Sequence, residues 1–256
     1  QIAYEGYGLG FSHQGRWTSF SVAKSFTSTL VGAAVKDGAI KSLDDPVTNY
    51  LPKLKGSGYD GVTVRQLMTM TSGVQWNEDY TDPKSDVSQF LAEPSVDGSD
   101  PTVSYMARLP RKHEPGTHWS YNTGETNLVG SLVEAATQKD LSTYLSERIW
   151  SRIGMEQDAA WLLNEGGREI AGCCVSAALR DYGRFGHFFM NGGMVDASPV
   201  LPDGWVKEAT TSNDVARTAL GGKSGYGRQW WIKPGAVYRA AGIFGQGIWI
   251  NPELKL

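Results

Sequence analysis

The sequence predicts an α+β chain in which an antiparallel sheet is flanked by helices and joined to an all-α region. Apolar residues recur every three or four positions over 22–34 and again over 128–136, the spacing of helices with one buried face. From Tyr226 onward the texture changes to short runs rich in β-branched and aromatic residues, 228–232, 237–241 and 247–251, separated by brief turns. Connections this short favour an antiparallel meander. Strands at both ends with helices between them suggest one sheet assembled from the two termini. The expected organisation is an α/β domain of residues 1–42 and 160–256 around a mainly helical domain of residues 43–159.

In chain order, Gln1-Ile2-Ala3-Tyr4-Glu5 reads as the inside of a strand, and Gly6, Gly8 and Gly10 read as a turn. They do not make a dinucleotide fingerprint, because the spacing fails at Phe11 and His13 and no helix opens there. The first helix begins near Ser21, carries Phe26, Leu30, Ala33 and Ala34 inward, and is stopped by Gly38. Pro46 and Pro52 break the pattern, and Thr63 then caps a short helix carrying Val64, Leu67 and Met68 before Gly73. Residues 74–116, rich in Asp, Pro, Ser and Gly, are too long for a passive connection and read as binding loops with short helices. Within them Glu78, Asp79, Asp82 and Asp86 lack the spacing and central glycine of a calcium loop and read as a solvated acidic loop. Helices follow from Asn127, over 141–155 with Tyr144, Leu145, Ile149 and Ile153 inward, and over 176–191, which Gly192-Gly193 ends. Leu254-Lys255-Leu256 falls where a further strand would start, so both ends read as cut, leaving room for a lost signal peptide.

The bulk properties narrow the function. A chain of 256 residues, 40% hydrophobic, holds enough material for a sizeable core. Its net charge is −3 with no long run of either sign, which argues against nucleic acid and leaves a small molecule as the expected partner. No apolar run approaches the roughly 18 residues of a membrane span. The two cysteines, Cys173 and Cys174, are adjacent and cannot tie distant parts together. The four histidines, 13, 113, 118 and 187, are too scattered for a local metal motif, so neither metal nor cofactor is expected. The compartment, cytoplasmic or periplasmic, stays open.

Chemistry enters with Ser21-Val22-Ala23-Lys24, which puts a hydroxyl and an amine three residues apart on one helix face. This is the S-x-x-K spacing of serine acyl-transfer enzymes. A serine hydroxyl is a weak nucleophile at neutral pH and needs a base in reach, which an amine of lowered pKa supplies. Alone, the pattern is weak, and the balance favours a surface helix with a capping serine and a solvated lysine. A second stretch, Glu114-Pro115-Gly116-Thr117-His118-Trp119-Ser120-Tyr121-Asn122-Thr123, followed by Leu128-Val129-Gly130, removes that balance. Together the two resemble the paired motifs of the penicillin-recognising serine hydrolases, the family of class C β-lactamases, DD-peptidases and family VIII esterases, in which the serine is matched by a tyrosine. Segments 43–47, 63–73, 123–155, 172–193 and 226–231 are similar to the family pattern in the same order.

The resemblance implies a β-lactamase/transpeptidase-like fold and an acyl-serine mechanism. It implies catalysis by Ser21, Lys24 and Tyr121, with Lys24 or Tyr121 as the base, and an oxyanion site of the Ser21 and Ile243 backbone amides. The Asn77-Glu78-Asp79-Tyr80-Thr81-Asp82-Pro83 loop, the Trp230-Trp231 pair and Gly242-Ile243-Phe244-Gly245-Gln246 are similar to a branch that cleaves linear amides. That likeness implies that Tyr80 bonds the substrate amide or leaving group and that Thr123 and Trp231 contact substrate; it leaves a homodimer open. There are two departures. Leu91 falls where the better amide hydrolases of the branch carry an acid, and Ala240-Ala241-Gly242 falls where β-lactamases carry Lys-Thr-Gly or His-Thr-Gly. Hydrolysis of a linear amide or short-chain ester is the expectation. A β-lactamase or DD-peptidase, and a non-catalytic β-lactam or peptide receptor, are the alternatives.

Overall fold

The computed structural model describes residues 2–256. Nine strands and nine α-helices alternate unevenly along it. The strands are β1 (Arg16–Thr18), β2 (Ala160–Trp161), β3 (Val175–Ala178), β4 (Met194–Val195), β5 (Ser198–Pro199), β6 (Gly225–Tyr226), β7 (Trp231–Ile232), β8 (Tyr238–Ala241) and β9 (Gly247–Ile250). The helices are α1 (Ala23–Lys36), α2 (Val64–Met68), α3 (Asp86–Leu91), α4 (Pro101–Met106), α5 (Thr123–Thr137), α6 (Leu141–Arg148), α7 (Leu179–Met190), α8 (Trp205–Ala209) and α9 (Asp214–Ala219). The chain is α+β, and its C-terminal part is an antiparallel meander in the order β6-β7-β8-β9.

In place of the expected single sheet the described residues form three: β1-β3-β2, the hairpin β4-β5 and the meander. β1 pairs with β3, which also pairs with β2, and none of these bonds to the meander. The reason lies in β3: its four residues carry helix-compatible alanines and a serine, but each edge of the strand is taken by a partner, and ladder pairing overrides propensity. The helix expected over 176–191 therefore starts at Leu179. Strand character at Ile2 to Glu5 and at Leu254 to Leu256 is also absent from the described residues; Gln1 lies outside them.

α1 is the pillar of the molecule. All its residues from Ala23 to Ala34 are buried, polar ones included. Its hydroxyls are satisfied by carbonyls on two sides: Thr27 donates to Ala171 O (2.8 Å), while Ser25 and Ser28 donate to Gln229 O (2.8 Å) and Arg228 O (2.6 Å). Such pairing is what allows a buried helix to carry polar side chains. It also explains why the run 228–232 is not one strand. The Arg228 and Gln229 carbonyls face α1, Gln229 takes a positive φ of 64°, and regular pairing begins only at Trp231. The main core fills the space between α1, α7 and the meander, with Phe26 stacked on Phe185 (3.7 Å) and Phe189 on Trp230 (4.3 Å).

α5 packs across α1, and it also lies so close to the segment before β3 that a Cβ at Gly130 would be 2.3 Å from Ala171 Cβ. Asn122 caps it, accepting from the Glu125 amide (3.0 Å), and α2 opens with a capping box of Thr63 and Gln66. The helix expected over 141–155 ends at Arg148 and continues only as a 3-10 turn, Trp150–Arg152. No helix among the described residues is long and apolar enough to cross a membrane.

Candidate active site

Ser21 sits in a 3-10 turn, Phe20–Val22, that feeds directly into α1. Lys24, one turn on, is 2% exposed and donates to Ser21 Oγ (3.1 Å) and Gly172 O (2.7 Å). Burial pulls its pKa from 10.5 to about 8, against a smaller opposing pull from the Glu78 carboxylate. Gly172 is itself fixed, since its amide donates to Asn127 Oδ1 (3.2 Å) while Asn127 Nδ2 donates to Thr123 O (2.9 Å). The acceptor for Lys24 is thus tied to α5. The neighbouring Cys173 and Cys174 are bonded to each other.

Tyr121 precedes the cap of α5, and the Lys24 ammonium lies 5.3 Å from its ring centroid. Burial pushes its pKa far up, the nearby Ser21 hydroxyl offsets part of that rise, and Glu78 adds to it. Its ring stacks on Trp231 (5.6 Å) and meets Tyr226 edge-on (6.1 Å). These rings belong to a second apolar cluster built on Met70, Ala216 and Tyr226. The tryptophan pair divides as alternation along a chain requires, Trp230 fully buried in the main core and Trp231 half-buried against Tyr121.

Glu78 is the residue that composition conceals. It is not a solvated member of an acidic loop: its carboxylate accepts from Tyr80 OH (2.7 Å), the Thr123 amide (2.9 Å), Thr123 Oγ1 and Trp76 Nε1. Asp79, Asp82 and Asp86 instead stitch the loop, accepting from the Thr81, Lys84 and Asn77 amides. Position 78 lies two residues before Tyr80, so in an extended segment both side chains share a face, which was the available signal. Tyr80 is 47% exposed, and its hydroxyl lies 3.3 Å from Thr123 Oγ1. Thr123 is buried, with its amide and its hydroxyl engaged by Glu78.

Glu125, another carboxyl that sequence reasoning missed, is buried beneath Asn122. It accepts from Ser72 and, at 3.5 Å, from Asn122 Nδ2. Its burial lifts its pKa to about 8. Ser72 thereby couples the segment after α2 to the turn that holds Tyr121.

The Ser21 amide and the Ile243 amide have no hydrogen-bond acceptor among the described residues. Ile243 lies in the turn joining β8 to β9, which approaches the Ser21 turn so closely that a Cβ at Gly242 would be 2.8 Å from Ser19 O. Only glycine fits there. Leu91 ends α3 about half exposed, and Ala240 is buried within β8.

The β-lactamase family model matches residues 1–256. The 6-aminohexanoate-dimer hydrolase of Paenarthrobacter ureafaciens is 32% identical over 99% of this chain and 67% of its own length. A D-aminopeptidase of Brucella anthropi is 32% identical over 54% of this chain and 25% of its own. Among solved structures, a Bacillus anthracis protein provisionally assigned as a 6-aminohexanoate-dimer hydrolase superposes with a TM-score of 0.86 at 28% identity, covering 98% of this chain and 68% of that one. The chain therefore spans about two thirds of the length of the relatives that match it end to end. With the family match covering every residue, this chain belongs to the β-lactamase family.

Proposed function

We propose that the protein is a serine hydrolase that cleaves linear amides of the 6-aminohexanoate-dimer kind, or short-chain esters, through an acyl-Ser21 intermediate. The observation that carries the reading is the buried Lys24 amine, 3.1 Å from Ser21 Oγ and beside Tyr121. With its pKa near 8, Lys24 is partly neutral at ordinary pH, whereas the phenol of Tyr121 stays protonated. This favours Lys24 as the base and Tyr121 as the acid.

In that scheme Ser21 Oγ bonds to the carbonyl carbon as its proton passes to Lys24. The carbonyl oxygen, now negative, takes hydrogen bonds from the Ser21 and Ile243 amides. Tyr121 gives its proton to the leaving amine or alkoxide as the C–N or C–O bond breaks, and the Lys24 ammonium reprotonates Tyr121. Water then attacks the acyl carbon, its proton passing through the same pair back to Ser21 as the acid product leaves. Gly172 O accepts from the ammonium form in between, and the charge of Glu78 favours it. Glu78 also orients Tyr80 toward the substrate and occupies Thr123, so we assign Thr123 to seating Glu78 rather than to substrate contact. Trp231 backs Tyr121 and walls the pocket.

Relatives named for action on amides, the aminohexanoate-dimer hydrolase and the D-aminopeptidase, support an amide substrate. Against a β-lactamase or DD-peptidase stands Ala240-Ala241-Gly242, which offers no cation for a β-lactam carboxylate. The test is a panel of p-nitrophenyl esters, 6-aminohexanoate dimer and nitrocefin with wild type and Ser21→Ala. Ester or dimer turnover lost in Ser21→Ala supports the reading. Rapid nitrocefin turnover without the others installs the β-lactamase alternative, and ligand binding without turnover installs the receptor.

A further inference from the structure

The two free amides of the site come from different parts of the chain, the Ser21 turn and the turn between β8 and β9. Among the described residues no hydrogen bond joins these two segments. Within the second turn, Gly242 N donates to Gln246 O and Gly245 N to Gly242 O, while in the first Ser19 Oγ donates to Phe20 O. Beside the close backbone approach of Gly242 to Ser19 O, what bridges them is a pair of aromatic rings. Phe20, directly before Ser21, meets Phe244, directly after Ile243, with centroids 4.7 Å apart and planes at 72°.

Both partners are placed at some cost. Phe20 holds a φ of +45°, rare for a bulky residue, and its carbonyl is pinned by Ser19 Oγ at 3.0 Å and the Cys174 amide at 3.4 Å. Phe244 leaves 71% of its surface in water. An edge-to-face contact of this geometry is favourable. Here it falls where a small displacement matters most, because an oxyanion donor must sit within about 2.7–3.1 Å of the developing charge.

We propose that Phe20 and Phe244 form a clasp that sets the spacing of the Ser21 and Ile243 amides, making both rings positioning residues for hydrolysis. The inference rests on the acyl-Ser21 reading above. The pair acts through the amides and is not itself expected to grip the acyl chain. Its value, taken as that of an ordinary aromatic pair, corresponds to between about twofold and about tenfold in rate.

The experiment measures kcat and KM on p-nitrophenyl acetate, butyrate and hexanoate, together with inhibition by phenylboronic acid, which forms a tetrahedral adduct on a serine. Phe244→Ala should lower kcat by about twofold to tenfold on all three esters with KM little changed, and weaken phenylboronic acid by the same factor. Phe244→Tyr should restore both. Phe20→Gly, which suits the positive φ, should reproduce the loss, and Phe20→Gly/Phe244→Ala should be no worse than either single change. Unchanged kcat and boronate affinity in Phe244→Ala overturn the clasp. So does a loss that appears only in KM and grows with acyl length, which would make Phe244 a wall for the chain. Wild type that turns over neither these esters nor the 6-aminohexanoate dimer and forms no boronate adduct on Ser21 overturns the acyl-enzyme reading and the clasp with it, so the two failures are distinguishable.

Discussion

The two sides of the candidate site are built in opposite ways. Lys24 stands on, and Ser21 just before, a helix that is buried from Ala23 to Ala34 and tied by side-chain hydrogen bonds to carbonyls at 171–172 on one side and 228–229 on the other. Facing them, Tyr80, Ile243 and Phe244 come from loops, each about half exposed or more. The difference teaches where each property of the enzyme resides. Proton transfer needs groups held to fractions of an ångström, and burial both fixes them and tunes their pKa. Recognition of one acyl or amine part over another can rest on loops, which tolerate change.

The sharpest way to test the contrast is to strike the buried side. Ser21→Ala should abolish acyl transfer, a fall of at least about 10⁴-fold in kcat, with Tm nearly unchanged. Tyr121→Phe should lower kcat by about 10²- to 10⁴-fold, more for amides than for p-nitrophenyl esters, whose leaving group needs no proton. A similar loss on both substrates would deny Tyr121 the role of acid.

Next in size is the pH profile. With Lys24 neutral only above its folded pKa, kcat/KM should climb with pH and level off above about 8. Glu78 favours the ammonium form, so Glu78→Gln should move that limb to lower pH while raising KM through the loosened Tyr80. Of the two loop-side changes predicted to reach the buried side, Glu78→Gln and Phe244→Ala, the first alone should move the pH limb. An unshifted limb would confine Glu78 to the loop.

The smallest effect is on stability, read from Tm against pH. Glu125, raised to about 8, stabilises the fold fully below the ordinary 4.5, and that contribution is lost as pH rises through 8. Lys24 is depressed, so its buried charge penalises the fold below about 8, and the penalty lifts between 8 and 10.5. Together they place a shallow minimum near pH 8. Glu125→Gln should flatten the acid side of that minimum and leave the alkaline side.

The same contrast governs what could be read from the sequence. α1, its S-x-x-K face and Tyr121 were legible because periodicity and paired motifs are local. β3 was not, since its alanines and serine suit a helix until two strands claim its edges. The run 228–232 was misread because α1 hydroxyls, distant in sequence, draw its carbonyls away from strand pairing. Glu78 was hidden among four acids, and only the fold decides which carboxylate turns inward. The Phe20–Phe244 pair joins residues more than two hundred positions apart, beyond any local pattern.

The most direct test of the central claim is intact-protein and peptide mass spectrometry after rapid acid quench of a reaction with a slowly released p-nitrophenyl ester. The account predicts one acyl group, on the peptide carrying Ser21, absent from Ser21→Ala and accumulating in Tyr121→Phe if deacylation is the slower step. Turnover with no adduct on Ser21, or an adduct that survives Ser21→Ala, would contradict it.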